Sequence, residues 1–282
     1  MNAIEINGLT KAYKDFSLDN LNLALPQGTI MGLIGENGAG KSTTIKLILD
    51  IVKMDSGHVT LLGKDNKDNI RLAKEDIGVV FDDVGISECL TPIQVGKIMR
   101  LTFSNWNQDM YEHYLKIFNL PPKKKFKDFS RGMRMKLGIA VALSHNAKLL
   151  ILDEATSGLD PVIRDEILNI FSEFTRDETH SILISSHIVS DLEKICDYIA
   201  FLHKGKLLLC EEKDVLKDEY ALIRCSIEQL SALNPSAIIG TKKNAYGVEA
   251  LIKRNELPID MEKSPVDIEQ LFIFMVKEAY AR

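Results

Sequence analysis

A glycine-rich turn followed by a lysine carries the clearest chemistry in this sequence. Residues 31–44 read MGLIGENGAGKSTT, so a short apolar run leads into Gly35, Gly38 and Gly40 and then into Lys41. Glycines let the backbone turn tightly and bring successive N–H groups close to an anion, where a Cβ would obstruct the approach. The pattern therefore predicts a phosphate-binding loop at the start of a helix, whose positive dipole end adds to the site.

The side chains after the turn are those that a bound phosphate chain and its metal require. Lys41 carries a mobile ammonium that can reach β- and γ-phosphates, and Ser42 offers a hydroxyl to Mg²⁺. A plain surface turn would leave Lys41 unexplained. We expect the nucleotide contacts of this loop to come from Gly35, Asn37, Gly38, Ala39, Gly40, Lys41, Ser42 and Thr43.

Acidic residues follow a second apolar strand, predicted at 149–152. Asp153 and Glu154 stand at its carboxyl end, where ligands gather in α/β sheets. Asp153 can hold Mg²⁺ directly or through water, and Glu154 can deprotonate the water that attacks a γ-phosphate. The strand SILISSH ends at His187, whose position favours a γ-phosphate contact over a plain surface or core histidine.

A further anion site is predicted at the start of the helix in DFSRGMRMKLGIAVALS, residues 128–144. Ser130 is the expected N-cap and Gly132 permits a close backbone approach, so the chain would hold two half-sites for phosphate. Asp160 followed by Pro161 likewise predicts the cap and first turn of an amphipathic helix.

The elements that must position these residues indicate an α/β protein. Short antiparallel strands are predicted between 3 and 33, a hairpin in DSGHVTLLGK, and a buried strand IGVVF that ends at Asp82. The pattern is helical between 86 and 148, with Asp109 as a candidate cap, which predicts a helical lobe inserted between strands.

Composition limits the partners that this chain could have. The 282 residues are 45% hydrophobic, which suffices for a packed core, and the net charge of -5 argues against nonspecific nucleic-acid binding. The 4 cysteines and 6 histidines show no metal-ligand spacing. No apolar run approaches the roughly 18 residues of a membrane span, so we expect a cytoplasmic protein that meets a membrane only through a partner.

With these motifs in place, the chain resembles the nucleotide-binding subunits of ABC transporters over residues 3 to about 210. GENGAGKST resembles the Walker A motif, LLILDE the Walker B motif, SGLD the D-loop and SSH the switch region, in the expected order. The resemblance implies that Tyr13 is the adenine-stacking residue and that Asp160 belongs to the nucleotide-binding set. Tyr13 taken alone would read as a half-buried surface residue.

Two motifs depart from the usual pattern of that family. The signature LSGGQ is FSRGM here, which keeps Ser130 and Gly132 but carries Arg131, a form that resembles ATPases partnered with ABC-2-type exporters. The Q-loop position holds Asp82 in VVFDD. A carboxylate there adds charge near Mg²⁺ and the γ-phosphate, and we place Asp82 with Ser42 and Asp153 among the expected metal residues.

The resemblance implies a P-loop NTPase fold of class α/β. It would have a mixed β-sheet core, an N-terminal antiparallel β subdomain, an inserted helical subdomain at about 83–148 and a small C-terminal α+β appendage. Residues 1–211 would form the ATP-binding domain and residues 212–282 an accessory domain. A predicted helix at 264–279 carries Ile268, Leu271, Phe272 and Met275 on one side, for packing or for a regulatory or dimer-stabilising role.

The resemblance also implies function. ATP would lie between the P-loop of one subunit and Ser130 and Gly132 of another, which predicts a homodimer or a heterodimer with a related subunit. We expect ATP hydrolysis, with Glu154, His187 and Lys41 as catalytic residues, to drive integral membrane subunits of an exporter from the inner face of the membrane. The alternatives are a soluble ATPase that acts on ribosomes or DNA, and a regulatory subunit with little hydrolysis.

Overall fold

The computed structural model describes residues 1–67, 74–244, 247–256 and 261–281. Its strands are β1 (Asn2–Ala12), β2 (Ser17–Pro26), β3 (Ile30–Ile34), β4 (Ser56–Leu61), β5 (Lys64–Asp65), β6 (Ile77–Val80), β7 (Leu149–Asp153), β8 (Ser181–Ser186), β9 (Tyr198–His203), β10 (Lys206–Glu212), β11 (Tyr220–Cys225), β12 (Ile238–Asn244) and β13 (Gly247–Lys253). Its α-helices are α1 (Lys41–Ile48), α2 (Pro92–Thr102), α3 (Gln108–Ile117), α4 (Arg131–Leu143), α5 (Pro161–Phe174), α6 (Val189–Ile195), α7 (Lys213–Glu219), α8 (Ile227–Ser231) and α9 (Ile268–Ala281).

The central sheet brings the predicted site segments to one edge. Its strand order is β10-β9-β3-β8-β7-β6, and all neighbours pair in parallel except β10 with β9. Strands β3, β7 and β8 are buried along their whole length, as expected when both faces of a parallel sheet are covered. The predicted mixed sheet is confirmed, and the carboxyl ends of these three adjacent strands lead into the glycine turn, the acidic pair and His187.

The predicted N-terminal antiparallel region is confirmed as a separate sheet in the order β2-β1-β4-β5. The segment DSGHVTLLGK forms its hairpin, in which Leu61 of β4 pairs with Lys64 of β5. The strand that precedes the glycine turn, β3, belongs instead to the central sheet.

Helices α2, α3 and α4 lie between β6 and β7 in the chain, as the change of periodicity predicted. The prediction that Asp109 caps α3 is wrong, because Asn107 is the cap and its side chain accepts a hydrogen bond from Met110 N at 2.9 Å. The backbone N–H of Asn107 donates to Ser144 O at 2.7 Å, which holds Asn107 outside the helix. Asp109 lies in the first turn, where its charge still suits the helix dipole.

The C-terminal residues form a third sheet, in the order β11-β13-β12, together with α9. The predicted helix is confirmed, but it begins at Ile268 rather than at 264, because Ser264 pairs with Leu222 of β11 and Asp267 accepts a hydrogen bond from Gln270 N at 2.7 Å. Leu271 is fully buried, and the ring of Phe272 lies 5.2 Å from that of Phe201 in β9. The apolar side of α9 therefore packs in a core that the central sheet and the C-terminal sheet share. Among the described residues, no helix has the length and apolar character to cross a bilayer.

Candidate functional site

A cavity of about 710 Å³ lies where the glycine turn meets the carboxyl ends of β7 and β8. Most of its wall comes from the loop and from acidic or hydroxyl side chains. The lining residues are Asp15, Phe16, Glu36, Asn37, Gly38, Gly40, Lys41, Ser42, Thr43, Asp82, Glu154, Ser157 and His187.

The three glycines of the turn serve two different purposes. Gly38 and Gly40 have φ angles of 81° and 111°. Residues with a Cβ rarely adopt this left-handed backbone conformation. A Cβ on Gly35 would lie 2.6 Å from the carbonyl oxygen of Leu202, so this position needs glycine for close packing. Gly35 and Ala39 support the turn and do not line the cavity, whereas the other predicted loop residues do.

Lys41 is held at the base of the turn. Its Nζ donates to the carbonyl oxygens of Gly35 at 2.7 Å and Glu36 at 3.3 Å, and the residue is only 6% exposed. The same ammonium lies 3.2 Å from Oε1 of Glu154. The buried ammonium of Lys41 therefore has oxygen partners from the turn and from the acidic residue that follows β7.

The two acids at the end of β7 occupy different environments. Asp153 is buried behind the cavity wall, and its Oδ1 accepts a hydrogen bond from Ser185 Oγ at 2.6 Å. Glu154 lines the cavity with φ 54°, and its backbone N–H lies 3.1 Å from both the carbonyl and the hydroxyl oxygen of Ser185. An unusual backbone conformation at a cavity wall is typical of functional residues.

His187 completes a row of three charged or titratable groups. Its Nδ1 lies 2.7 Å from Oε2 of Glu154, whose other oxygen faces Lys41. The spacing of polar strand ends predicted that these residues would lie close together. Ser185 contacts both acids. This role was not predicted, because a serine within an apolar strand carries no distinctive sequence signal.

The aromatic residue at the cavity differs from the one expected. Phe16 lines the cavity, and a Cβ on Gly40 would lie 2.8 Å from Phe16 Cζ. Tyr13 is 47% exposed and stands beside the cavity, with its ring centroid 6.4 Å from that of Phe16. The two rings together form an aromatic edge, and only Tyr13 was expected from the sequence.

Ser130, Gly132 and Asp160 lie outside the cavity of this single chain. Ser130 caps α4 by accepting a hydrogen bond from Met133 N at 3.3 Å, and Asp160 caps α5 by accepting from Ile163 N at 3.0 Å. Both predicted caps are confirmed.

Asp82 lines the cavity but is bound to a cation that the sequence did not pair with it. Its Oδ1 accepts a hydrogen bond from Arg131 Nη2 at 2.5 Å, so the Q-loop carboxylate and the signature arginine form an ion pair. Ser157, in the loop after β7, is another lining residue that was not predicted.

Sequence comparison explains why these motifs occur together. The model of the ABC transporter family matches residues 18–157. A bacitracin transport ATP-binding protein of Enterococcus faecalis is 36% identical over 208 residues, which cover 73% of this chain and 68% of that protein. This chain belongs to the ABC transporter ATP-binding family.

Other members of the family show the same likeness in sequence and in structure. A lantibiotic transport ATP-binding protein of Streptococcus pyogenes is 35% identical over 214 residues, covering 75% of this ABC protein and 91% of the relative. The solved structure of an ATP binding subunit of an ABC transporter matches with a TM-score of 0.70 and 26% identity, over 76% of this chain and 92% of that one. The P-loop NTPase fold and ATP binding are therefore established for this ABC protein.

Proposed function

We propose that this ABC protein hydrolyses ATP to power an exporter-type transporter. The observation that carries the proposal is the position of Glu154, between Lys41 Nζ at 3.2 Å and His187 Nδ1 at 2.7 Å in the cavity of the P-loop. A carboxylate placed there is suited to accept a proton from the water that attacks the γ-phosphate. Lys41 and the loop N–H groups would bind the phosphates, and the rings of Tyr13 and Phe16 would contact the adenine.

The oxygen donors of the site fit Mg²⁺, which prefers carboxylates, hydroxyls and phosphate oxygens. Ser42 lines the cavity, while Asp153 lies behind its wall with one carboxylate oxygen bonded to Ser185. Asp82, which the sequence placed with these two residues, lines the cavity but has its carboxylate paired with Arg131. When bound, Mg²⁺ would neutralise charge on the phosphates. Ser42 and Asp153 would hold it, directly or through water, and Asp82 is not proposed as a ligand because Arg131 already neutralises its charge.

We propose that two such subunits, identical or related, enclose ATP between them. Ser130, Arg131 and Asp160 are exposed at the starts of α4 and α5, and their caps leave the other helix N–H groups available. An exposed helix start suits an anion brought by another molecule. Ser130 and Gly132 of one subunit would then contact the phosphates held by Lys41 of its partner, and Asp160 would lie at the subunit boundary.

The proposed transport partner is an integral membrane subunit, with this protein on the inner face of the membrane. The relatives named for bacitracin and lantibiotic transport support the exporter assignment. Helix α2 supports a protein contact, because Ile93, Ile98 and Leu101 on it are 41%, 44% and 90% exposed.

The domain division is also a proposal. Residues 1–211 would form the ATP-binding domain, with the helical subdomain at about 83–148, and residues 212–282 the accessory domain. Strand β10 ends at Glu212, and the separate sheet of β11, β12 and β13 supports the division. Burial of α9 in the core shared by the central and C-terminal sheets favours a packing role over the dimer-stabilising one.

Steady-state ATP hydrolysis by the full chain tests the proposal. Glu154→Gln should lower the rate at least about 100-fold, retain ATP binding and trap a dimer, because it removes the base and keeps the shape. The matched control is Glu36→Gln, which removes a cavity carboxylate whose Oε2 lies 3.2 Å from His203 rather than beside Lys41. An unaltered rate in Glu154→Gln would exclude Glu154 as the base. Binding without hydrolysis by the wild type would favour a regulatory subunit instead.

A further inference from the structure

The two departures from the family pattern, Asp82 and Arg131, contact each other. Asp82 follows β6 and Arg131 opens α4, so the pair joins the two ends of the chain segment that contains α2 and α3. Asp82 also lines the cavity that holds Lys41 and Glu154. The contact therefore connects the start of the signature helix with the wall of the proposed ATP site.

Arg131 contacts a third segment, the loop between β7 and α5. A Cβ on Gly158 would lie 3.0 Å from Arg131 Nη1 and 3.1 Å from its Cζ, so the guanidinium packs closely against the backbone of this loop. Gly158 has φ 68°, which also favours glycine at this position. One side chain thus touches the Q-loop carboxylate and the D-loop backbone while it belongs to the signature helix.

The ion pair adds little to the stability of the fold. Asp82 and Arg131 side chains are 56% and 52% exposed, and pairs in such contact with water contribute little to the free energy of unfolding. The ion pair acts instead through the local charge and the position of the loops.

The local charge at Asp82 matters because the cavity wall carries more carboxylates than cations. The cavity wall carries carboxylates at Asp15, Glu36, Asp82 and Glu154, and the cation Lys41 is already paired with Glu154. A triphosphate with its metal remains an anion, so a carboxylate without a counter-charge beside it would weaken binding. Arg131 supplies the counter-charge for Asp82.

We propose that Arg131 is a positioning residue for nucleotide binding within its own subunit, acting by neutralising Asp82 at the cavity wall and holding the Q-loop, signature and D-loop segments together. This inference rests on the proposed function and extends it. It explains why the carboxylate and the arginine occur in the same chain, where the family pattern has glutamine and glycine. Either substitution alone would leave an uncompensated charge.

The test is a double-mutant cycle on the affinity of the full chain for the Mg²⁺ complex of a fluorescent N-methylanthraniloyl ATP. Arg131→Gln should weaken binding about threefold to tenfold, because it leaves the Asp82 carboxylate facing the phosphates. In the Asp82→Asn background the same change should alter affinity less than about twofold. Arg131→Lys keeps the charge and should restore most of the affinity.

The matched control is Arg134→Gln on the same helix. Arg134 donates to the carbonyl oxygens of Phe129 and Lys127, so its removal should leave affinity unchanged in both backgrounds. An equal loss for Arg131→Gln with and without Asp82 would overturn the inference, because it would indicate a contact with the partner's nucleotide or a general defect of α4. If Arg131→Gln lowered the affinity in neither background, the inference would also be wrong, and the ion pair would be only a surface contact. A wild type that binds the analogue but does not hydrolyse ATP would overturn the proposed function and leave this inference standing.

Discussion

Lys41 Nζ lies 3.2 Å from Oε1 of Glu154, so the lysine of the P-loop and the acid at the end of the Walker B strand form an ion pair. A phosphate that binds Lys41 competes with Glu154 for the same ammonium. ATP would thereby loosen the carboxylate from Lys41 while Oε2 keeps its contact with His187 at 2.7 Å. The geometry couples phosphate binding to the release of the proposed base.

Removing the Lys41 ammonium should weaken ATP binding. Lys41→Ala should weaken ATP affinity at least about tenfold, because charge-assisted hydrogen bonds to phosphate are lost. Isothermal titration with ATP and Mg²⁺ measures this. The control is Lys46→Ala, since Lys46 is exposed in the last turn of the same helix and lies outside the cavity lining. Unchanged affinity in Lys41→Ala would contradict a phosphate role for this lysine.

The hydroxyl of Ser185 should matter for catalysis although it does not line the cavity. Ser185→Ala removes the donor to Asp153 at 2.6 Å and the acceptor for Glu154 N at 3.1 Å. We expect the ATPase rate to fall about tenfold to 100-fold, as is usual when the support of a metal-site carboxylate is lost. Ser186→Ala is the control, because that hydroxyl bonds to Ile188 N and not to the acids. Equal rates in the two variants would refute the positioning role of Ser185.

Stability should depend on pH through His145. Burial lowers the pKa of His145 from its ordinary value. This outweighs the effect of the carbonyl oxygens of Val141 and Ile77, which lie 3.2 Å from its two ring nitrogens and favour the charged form. The folded state therefore binds fewer protons than the unfolded state. The contribution is complete above a pH of about 6.5 and is lost progressively as the pH falls below it.

Denaturant unfolding of His145→Gln at several pH values checks this expectation. Between about pH 7.5 and 5.5, the free energy of unfolding should fall less in the variant than in the wild type. His113→Gln removes an exposed histidine and should keep the wild-type pH dependence. Parallel curves for His145→Gln and wild type would show that His145 makes no such contribution.

The packing of α9 predicts a stability effect. Leu271 is fully buried in the core shared by the central and C-terminal sheets, and Leu271→Ala should lower the free energy of unfolding by about 2–5 kcal/mol. Ile273 on the same helix is 41% exposed, so Ile273→Ala should cost much less. Urea denaturation measures both, and sizing chromatography checks the dimer. A Leu271→Ala variant of normal stability that no longer dimerises would instead support a subunit contact.

Local features of the sequence were sufficient for much of the fold. The P-loop, the N-caps Ser130 and Asp160, and the strand that ends at Asp153 were predicted because glycine spacing, capping and apolar runs act over a few residues. Strand β12 was not predicted. Its sequence IIGTKKN has few apolar residues, and it is a strand because it pairs with β13.

The sequence by itself determined which groups could bind a nucleotide and its metal, since residue type sets charge, donors and backbone freedom. Only the tertiary structure decided which of these groups touch. It paired Glu154 with Lys41, brought Phe16 to the cavity beside Tyr13 and joined Asp82 to Arg131. Apart from the two rings, these contacts link residues far apart in the chain. They arise from strand order and helix packing, which no local pattern encodes.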